Sequence, residues 1–255
     1  MSFYYLEILL LSIVQGISEF IPISSSAHLI LFSNIQKFNY ASLEIDVSLH
    51  LGSLIAILVY FRKDLLNIFK NKKLLNLILF GSIPLIFFGF IFYEYKIIEF
   101  VRNLKLIAWT TLIFGILLYF ADKKIQEKTI DNDLNFKNII LIGFYQSLSI
   151  IPGVSRSGIV ITASRFSKFN RVDAAKISFF LSIPALSGAS ILGLSDISVE
   201  NFEFNLIIFI SILFSFIFSY LTIKFFLYYL KKFSLSVFIY YRFLLSLILF
   251  FIAYT

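Results

Sequence analysis

The sequence predicts an all-α polytopic membrane protein, and three observations carry this prediction. Of its 255 residues, 59% are hydrophobic, 19% are aromatic and only 15% are charged. Soluble domains have roughly 45–50% apolar and about 25% charged residues. A helix that crosses a bilayer needs about 20 consecutive apolar residues, and several such stretches occur, separated by short basic segments. The same composition excludes a disordered chain, which needs low hydrophobicity and high net charge.

Five segments are long and apolar enough to span the bilayer, and a sixth has the length although it contains Lys176 and Pro184. The five are residues 43–61, 74–93, 106–121, 205–229 and 236–255, and the sixth is about 172–194. Two other stretches, 3–36 and 138–166, each hold two short apolar runs around a polar centre rich in Pro and Ser. Since neither run can cross alone, we expect each stretch to be a re-entrant helix–loop–helix.

The loop charges predict the orientation of these segments. Basic residues are concentrated in residues 62–73, 122–137, 165–171 and 231–232. The segment 195–204 has no basic residue and carries Asp196, Glu200 and Glu203. Because cytoplasmic loops are enriched in Lys and Arg, we expect residues 122–137 to lie inside and residues 195–204 and both termini to lie outside. This orientation also places the loop 96–105 outside, which is the one basic loop that does not agree with it. The net charge of +7 is then explained by topology and anionic lipids, so no nucleic-acid partner is expected.

The predicted order of elements occurs twice within a single membrane domain, residues 1–255. Each repeat, approximately 1–121 and 138–255, has one re-entrant stretch and three spans, and the odd number of spans inverts the second copy relative to the first. QGISEFIPISSS at 15–26 also resembles QSLSIIPGVSRS at 146–157. Inverted repeats with interrupted helices place their binding site near the bilayer midplane, where the two breaks meet.

The first break, residues 19–28, concentrates polar chemistry in an apolar stretch. Glu19, Ser25 and His28 offer a carboxylate, a hydroxyl nucleophile and a base. Ionisable groups at membrane depth are costly and are functional candidates. The alternative interpretation is that Ser24 and Ser25 only cap a helix and that His28 is an ordinary core histidine. The nearby carboxylate weighs against that alternative.

The second break, residues 151–158, places Arg156 between Ser155 and Ser157, with Gly158 following, at a predicted helix start. Helix N-terminal N–H groups bind anions, and an arginine can hold two phosphate oxygens at once. The alternative is an interfacial arginine that snorkels to the membrane surface, which the flanking Pro-Gly and Ser-Gly pairs disfavour. Together the two breaks suit phosphoryl transfer, where positioning and charge neutralisation dominate.

These motifs resemble the two signatures of the bacterial undecaprenyl pyrophosphate phosphatases of the bacitracin-resistance type. The matching residues run from Gln15 to His28 and from Pro152 to Gly158, and residues 46–64 and 178–189 are also similar. The resemblance implies a multi-pass phosphatase of the bacterial inner membrane. It would hydrolyse undecaprenyl diphosphate to the monophosphate at the outer face, recycle this carrier for cell-wall synthesis and confer bacitracin resistance.

The resemblance also implies roles for individual residues. The family's Glu/Gln-xxx-Glu pair falls on Gln15 and Glu19 and implies a divalent cation, Mg²⁺ with Ca²⁺ as the alternative. Mg²⁺ binds through one or two carboxylates plus substrate phosphates. The family's other functional positions are the catalytic serine and histidine and the phosphate-binding serine and arginine, which fall on Ser25, His28, Ser155 and Arg156. Ser157 and Gly158 complete the predicted phosphate-binding segment.

Two positions depart from the family pattern. Gln15 cannot contribute charge to a metal site. Val160 occupies a position where the family often has threonine, and Thr162, two residues further on, would face another direction on a helix. A hydroxyl contact to phosphate from this turn is therefore in doubt, while Arg156 and the backbone amides remain.

The expected mechanism uses Ser25 to attack the phosphate or to position the attacking water, with both versions left open. His28 would take the proton, since a hydroxyl is a weak nucleophile without an adjacent base. Glu19 would hold the metal or orient the imidazole. Asp46 and His50 are four residues apart and share a helix face, which is compatible with either a supporting or a purely structural role.

The main rival function is a transporter or flippase for an anionic or isoprenyl-phosphate lipid, since inverted repeats with midplane breaks are also transporter architecture. A protein that only binds its ligand needs no nucleophile beside a base. The presence of Glu19, Ser25 and His28 in the first break therefore favours an enzyme. A lipid phosphatase of the PAP2 type would need a histidine after Arg156, and the sequence has none there. The expected partners are the isoprenyl diphosphate and membrane lipids, and a homodimer is left open.

Overall fold

The computed structural model describes residues 2–25, 27–28, 43–97, 101, 103–125, 127–194 and 202–254. Its helices are α1 Ser2–Ser18, α2 Leu43–Tyr60, α3 Arg62–Lys70, α4 Lys72–Glu94, α5 Leu104–Asp122, α6 Ile130–Asp133, α7 Phe136–Ser147, α8 Arg156–Phe166, α9 Arg171–Leu194, α10 Phe202–Leu230 and α11 Ser236–Tyr254. A single 3-10 turn covers Leu148–Ile150. The described part of the chain contains an isolated bridge between Lys128 and Phe169 but no strand, which confirms the all-α prediction.

Five helices are long and apolar enough to cross a membrane, namely α4, α5, α9, α10 and α11. A sixth span results if α2 and α3, which are bent by 75° at Phe61, are taken together. The predicted spans agree with these helices to within a few residues, so the multi-pass prediction is confirmed. The segment predicted at 43–61 therefore ends in a sharp bend.

Of the two predicted re-entrant stretches, the second is fully described and the first only in part. In the second one, α7 has 12 residues and α8 has 11, so neither reaches the length of a span. In the first one, residues 29–36 lie outside the described residues, as does Ser26. The acidic loop with Asp196 and Glu200 also lies outside them, and so does the side chain of Glu203.

The outer surface of the bundle is apolar. Exposed side chains on α4 and α11 include Phe87, Phe90 and Phe251, which expose 59%, 65% and 71% of their surface. An apolar surface this extensive indicates contact with a membrane in a chain of this composition.

The helices that surround the breaks approach one another closely through small residues. A Cβ at Gly16 would lie 2.8 Å from the backbone nitrogen of Ser219 on α10, and a Cβ at Gly143 on α7 would collide with the carbonyl of Gly81 on α4. Ser53 of α2 also contacts the hydroxyl of Ser219 at 3.0 Å. Small residues are typical of helix contacts in membranes, because the backbones can then pack directly.

The C-terminal end of α8 is held by a buried ionic cluster. Asp122 accepts two hydrogen bonds from Arg171, at 2.7 and 3.0 Å, and one from the backbone N–H of Leu235 at 3.1 Å. Arg165 of α8 is fully buried and donates to the carbonyls of Asp122 and Phe169 at 2.9 and 2.7 Å. The cluster joins the ends of α5 and α8 to the starts of α9 and α11, and so fixes one end of α8.

Candidate active site

The two breaks have the same local backbone. Ser24 and Ser155 both adopt positive φ, 76° and 69°, and each is nine residues after a buried glutamine, Gln15 or Gln146. Each serine hydroxyl accepts a hydrogen bond from the N–H three residues later, at 3.4 Å for Ser24 and 3.1 Å for Ser155. Such backbone conformations are strained for non-glycine residues and cluster at functional sites. Ser24 is therefore a helix cap, as the alternative interpretation of the first break expected for it.

The two breaks meet through Arg156, the first residue of α8. Its Nη2 donates to Oε1 of Glu19 at 2.7 Å, and its Nη1 donates to the carbonyl of Ser178 on α9 at 3.2 Å. Ser157 adds a second link, since its hydroxyl donates to the carbonyl of Ile21 at 3.0 Å. The Glu19 and Arg156 side chains expose only 6% and 13% of their surface. Two of the predicted site residues, far apart in sequence, thus form a buried ion pair.

Gln15 and His50 extend this pair into a network. The Gln15 amide nitrogen donates to Oε2 of Glu19 at 3.0 Å and lies 2.8 Å from Nδ1 of His50. Because an amide nitrogen only donates, Nδ1 accepts, and the ring proton of neutral His50 is on Nε2. His50 therefore belongs to the site, which its position in the sequence could not reveal.

The same network fits a divalent cation completed by substrate. The described residues contain no group of three or more His, Asp, Glu or Cys side chains that could hold a metal. However, Oε1 of Gln15 is buried and has no hydrogen-bond partner. This oxygen and the Glu19 carboxylate are the hard ligands that Mg²⁺ and Ca²⁺ prefer, and phosphate oxygens would supply the rest.

The start of α8 offers hydrogen-bond donors to an anion. The first N–H groups of a helix have no carbonyl partner within it. In α8, the N–H of Gly158 is taken by the Ser155 hydroxyl, which leaves those of Arg156 and Ser157 for a ligand. Thr162 donates to the carbonyl of Gly158 at 2.7 Å, so its hydroxyl is used inside the helix, in agreement with the expected departure from the family pattern.

His28 forms two hydrogen bonds, and neither of them is with the ion pair. Its Nδ1 lies 2.6 Å from the carbonyl of Ser24, and its Nε2 lies 2.6 Å from the hydroxyl of Tyr241 on α11. A carbonyl only accepts, so neutral His28 carries its proton on Nδ1. Ser25 is partly exposed, and among the described residues its hydroxyl forms no hydrogen bond with His28 or with another side chain. The partnership of Ser25 and His28 stays a prediction.

Arg242, next to Tyr241 on α11, was not predicted. It is fully buried and donates to the carbonyls of Gly153 and Val154 in the second break, at 3.0 and 3.1 Å, and to that of Thr111. Among the described residues, no carboxylate forms an ion pair with it. An arginine inside an apolar span is costly, and this cost is the sequence signal that could have identified it.

Helix α5 holds the same loop from another side. The Thr110 hydroxyl donates to the carbonyl of Pro152 at 2.6 Å. Gly153 has φ of +88°, and a Cβ there would collide with the Thr110 hydroxyl. The carbonyls of three successive loop residues are thus held by α5 and α11, which fixes the loop that leads into α8.

Comparison with known proteins gives full-length matches. A family model described as "Bacitracin resistance protein BacA" matches residues 8–248. A protein of Pelagibacter ubique named undecaprenyl-diphosphatase is 56% identical over 250 residues, which cover 98% of both chains. A protein of the same name from Elusimicrobium minutum is 40% identical and covers 94% of this chain and 95% of its own. Undecaprenyl-diphosphatase 4 of Bacillus thuringiensis is 36% identical over 98% of both chains.

We expect Arg156→Lys to reduce phosphate release from an isoprenyl diphosphate by a factor of about 10²–10³. Lysine keeps the charge but loses the planar group that contacts Glu19, Ser178 and a phosphate together. Steady-state phosphate release by the purified variant measures the effect. Turnover close to that of the wild type would mean that Arg156 supplies only charge.

We expect Arg242→Lys to raise the KM for the diphosphate about tenfold, because one ammonium cannot replace the bonds that hold the second break. Tyr241→Phe is the matched control on the same helix turn. It removes only the hydroxyl contact to His28, and we expect it to lower kcat with KM unchanged. If both variants change kcat and KM in the same proportion, the two residues do not have separate roles.

Proposed function

Because the chain belongs to the bacitracin resistance protein BacA family, we infer that it is an enzyme, an undecaprenyl-diphosphatase. It hydrolyses undecaprenyl diphosphate to undecaprenyl phosphate and inorganic phosphate. The observation that carries this conclusion within the structure is the ion pair of Glu19 and Arg156 between two helix breaks, beside the free N–H groups at the start of α8. Buried positive charge with backbone donors is the chemistry that recognises a phosphate group.

Arg156 can bind phosphate without leaving Glu19. A guanidinium has five N–H donors, and the two contacts to Glu19 and Ser178 use two of them. The remaining donors, together with the N–H groups of Arg156 and Ser157, can bind the terminal phosphate. In this arrangement Glu19 positions Arg156, which supports the predicted phosphate-binding role of Arg156 and Ser157. The same role of Ser155 and Gly158 stays a prediction.

Gln15 and Glu19 are the residues that would hold a divalent cation. When bound, the cation would neutralise charge on the diphosphate. The buried, unpaired Oε1 of Gln15 supports this assignment, and it explains how an uncharged glutamine serves at this position.

In the proposed reaction, an oxygen nucleophile attacks the terminal phosphorus and the bond to the bridging oxygen breaks, releasing undecaprenyl phosphate. If the Ser25 hydroxyl attacks, a phosphoserine forms and water then hydrolyses it. If water attacks, Ser25 positions it. His28 accepts the nucleophile's proton at Nε2, because Nδ1 already carries the ring proton that it donates to the carbonyl of Ser24. Nε2 is hydrogen-bonded to the Tyr241 hydroxyl. The proton therefore reaches Nε2 either through this hydroxyl or after the Tyr241 side chain has moved aside.

We propose that the site lies nearer the outer face of the membrane. The basic cluster around Asp122, with Arg165 and Arg171, lies at one end of α8, and Arg156 lies at the other. Nine residues of helix separate Arg156 from Arg165, about 13 Å at 1.5 Å per residue. Basic segments favour the cytoplasmic side, which supports a site open to the outer leaflet, where it recycles the carrier for cell-wall synthesis and confers bacitracin resistance.

An inverted repeat accounts for the matched contacts of the two halves. The contact of α10 with α1 corresponds to that of α4 with α7. In the same way, the contact of α10 with α2 corresponds to that of α4 with α9. Tyr241 of α11 contacts His28 of the first break, and Thr110 of α5 contacts Pro152 of the second. The shared backbone of Ser24 and Ser155 adds further support.

Phosphate release by purified protein tests the activity and the roles in the first break. We expect release from undecaprenyl diphosphate that stops when EDTA removes divalent cations, and that falls by orders of magnitude in Ser25→Ala and in His28→Ala. The double variant should lose no more than either single one, because residues that act as a unit are not additive.

Two other results have a definite meaning. If Ser25→Ala keeps most of the activity while His28→Ala has none, water is the nucleophile and the serine is only structural. If the wild type binds the diphosphate but releases no phosphate, the chain transports the lipid instead.

Cysteine labelling tests the orientation, and the chain has no cysteine of its own. In intact cells, we expect an impermeant thiol reagent to label Asn201→Cys and not Asn132→Cys, because the segment with Asn132 is basic. Labelling of Asn132→Cys alone would place the site on the inner side.

A further inference from the structure

A cavity lies on the outside of the bundle, away from the two breaks. It has a volume of about 550 Å³ and is formed between the end of α2 and the C-terminal half of α10. Its lining includes the polar side chains of Tyr60, Lys224, Tyr228 and Lys231 and the apolar side chain of Phe225. None of these residues belongs to the active site.

The bend between α2 and α3 creates this cavity. At Phe61 the chain turns by 75°, so α3 does not continue alongside α10 and leaves the end of that helix uncovered. The wall on the α2 side is well supported, since the Tyr60 ring packs edge-on against Tyr220 and Phe61, with ring centroids 5.5 and 4.9 Å apart. The cavity is thus part of the fold.

The cavity is positively charged. Lys224 lies on α10, and Lys231 directly follows Leu230, the last residue of that helix. Both lysines line the cavity. Both are exposed, and neither forms an ion pair with an acidic residue of the described chain. Arg62 and Lys63 follow Phe61 and are also exposed. An ammonium group on a lipid-facing helix is costly without a counter-charge, so this face requires an anion.

The surroundings of the lysines are apolar. Leu221 and Phe225, on the same face of α10, expose 54% and 56% of their surface, and Tyr228 lies between the two lysines. A soluble anion would gain nothing from these apolar groups, whereas acyl chains would cover them. Basic pockets between membrane helices on the cytoplasmic side bind anionic lipid head groups, and the segment 231–232 is predicted to be cytoplasmic.

We propose that this cavity binds an anionic phospholipid of the inner leaflet. Its phosphate lies between Lys224 and Lys231, with the tyrosine hydroxyls as further hydrogen-bond donors, and one acyl chain follows Leu221 and Phe225. The bound lipid is not the substrate, because the cavity contains no nucleophile beside a base. It stabilises the bend between α2 and α3, and so supports the helix that carries His50.

The test measures lipid binding directly. Purified protein in a neutral detergent is titrated with dioleoyl phosphatidylglycerol, with dioleoyl phosphatidylcholine or with inorganic phosphate. Native mass spectrometry counts bound lipids, and the unfolding temperature is recorded in parallel. We expect one tightly bound phosphatidylglycerol per chain and a rise of the unfolding temperature. We expect no effect of phosphatidylcholine, and no effect of inorganic phosphate that depends on Lys224 and Lys231.

The double variant Lys224→Gln/Lys231→Gln should bind phosphatidylglycerol at least tenfold more weakly, while Lys224→Arg/Lys231→Arg should retain it. Lys72→Gln/Lys73→Gln is the matched control, since it removes two exposed lysines of another basic segment, and it should bind as the wild type does. Phosphate release in phosphatidylcholine nanodiscs should be equal in all four proteins, which separates this site from catalysis.

Three results would overturn the proposal. Equal binding of phosphatidylglycerol by the glutamine variant would place the lipid elsewhere. Equal binding of phosphatidylcholine would remove the need for an anion. A rise of the unfolding temperature with inorganic phosphate that is lost in Lys224→Gln/Lys231→Gln would identify a site for a free anion in this cavity.

Discussion

The buried ion pair of Glu19 and Arg156 is the interaction on which the rest of the site depends. Each charge would be very costly at membrane depth without the other, and the two come from different helix breaks. Their contact at 2.7 Å therefore requires both breaks to lie at the same depth and side by side. Gln15 and His50 then surround Glu19, and the first turn of α8 provides the remaining donors. The proposed phosphate site results from the pairing of two otherwise unfavourable charges.

The ion pair is effective because the helices around it are fixed at several points. Helix α8 carries Arg156 at its start, and its other end is fixed by the cluster around Asp122. The loop before α8 is held by Thr110 and by Arg242, whose buried guanidinium bonds three backbone carbonyls. Groups held on rigid elements stay aligned with a substrate, which is the main contribution a protein makes to phosphoryl transfer.

The membrane explains how polar and apolar features are divided in this chain. The exterior is apolar because lipid is its solvent, and close helix contacts use Gly16, Gly81 and Gly143, since lipid provides no hydrophobic force between helices. Among the described residues, the buried charged side chains are Glu19, Asp122, Arg165 and Arg242, which lie in a break, in the cluster around Asp122 or against the second break. The active site and the proposed lipid site follow the same rule, because each brings an anion to positive charge that the fold leaves in apolar surroundings.

The sequence by itself determined the elements and the chemistry of the breaks. Apolar length gave the spans, for example 172–194 against the observed Arg171–Leu194, and rarity of charge marked Glu19 and Arg156. It did not reveal that His50 touches Gln15, that Tyr241 orients His28 or that Arg242 supports the second break. These partners are separated by 35, 213 and 88 or 89 residues. Hydrophobic period and local motifs carry information only over a few helix turns, so which distant residues meet was decided by the packing of the helices.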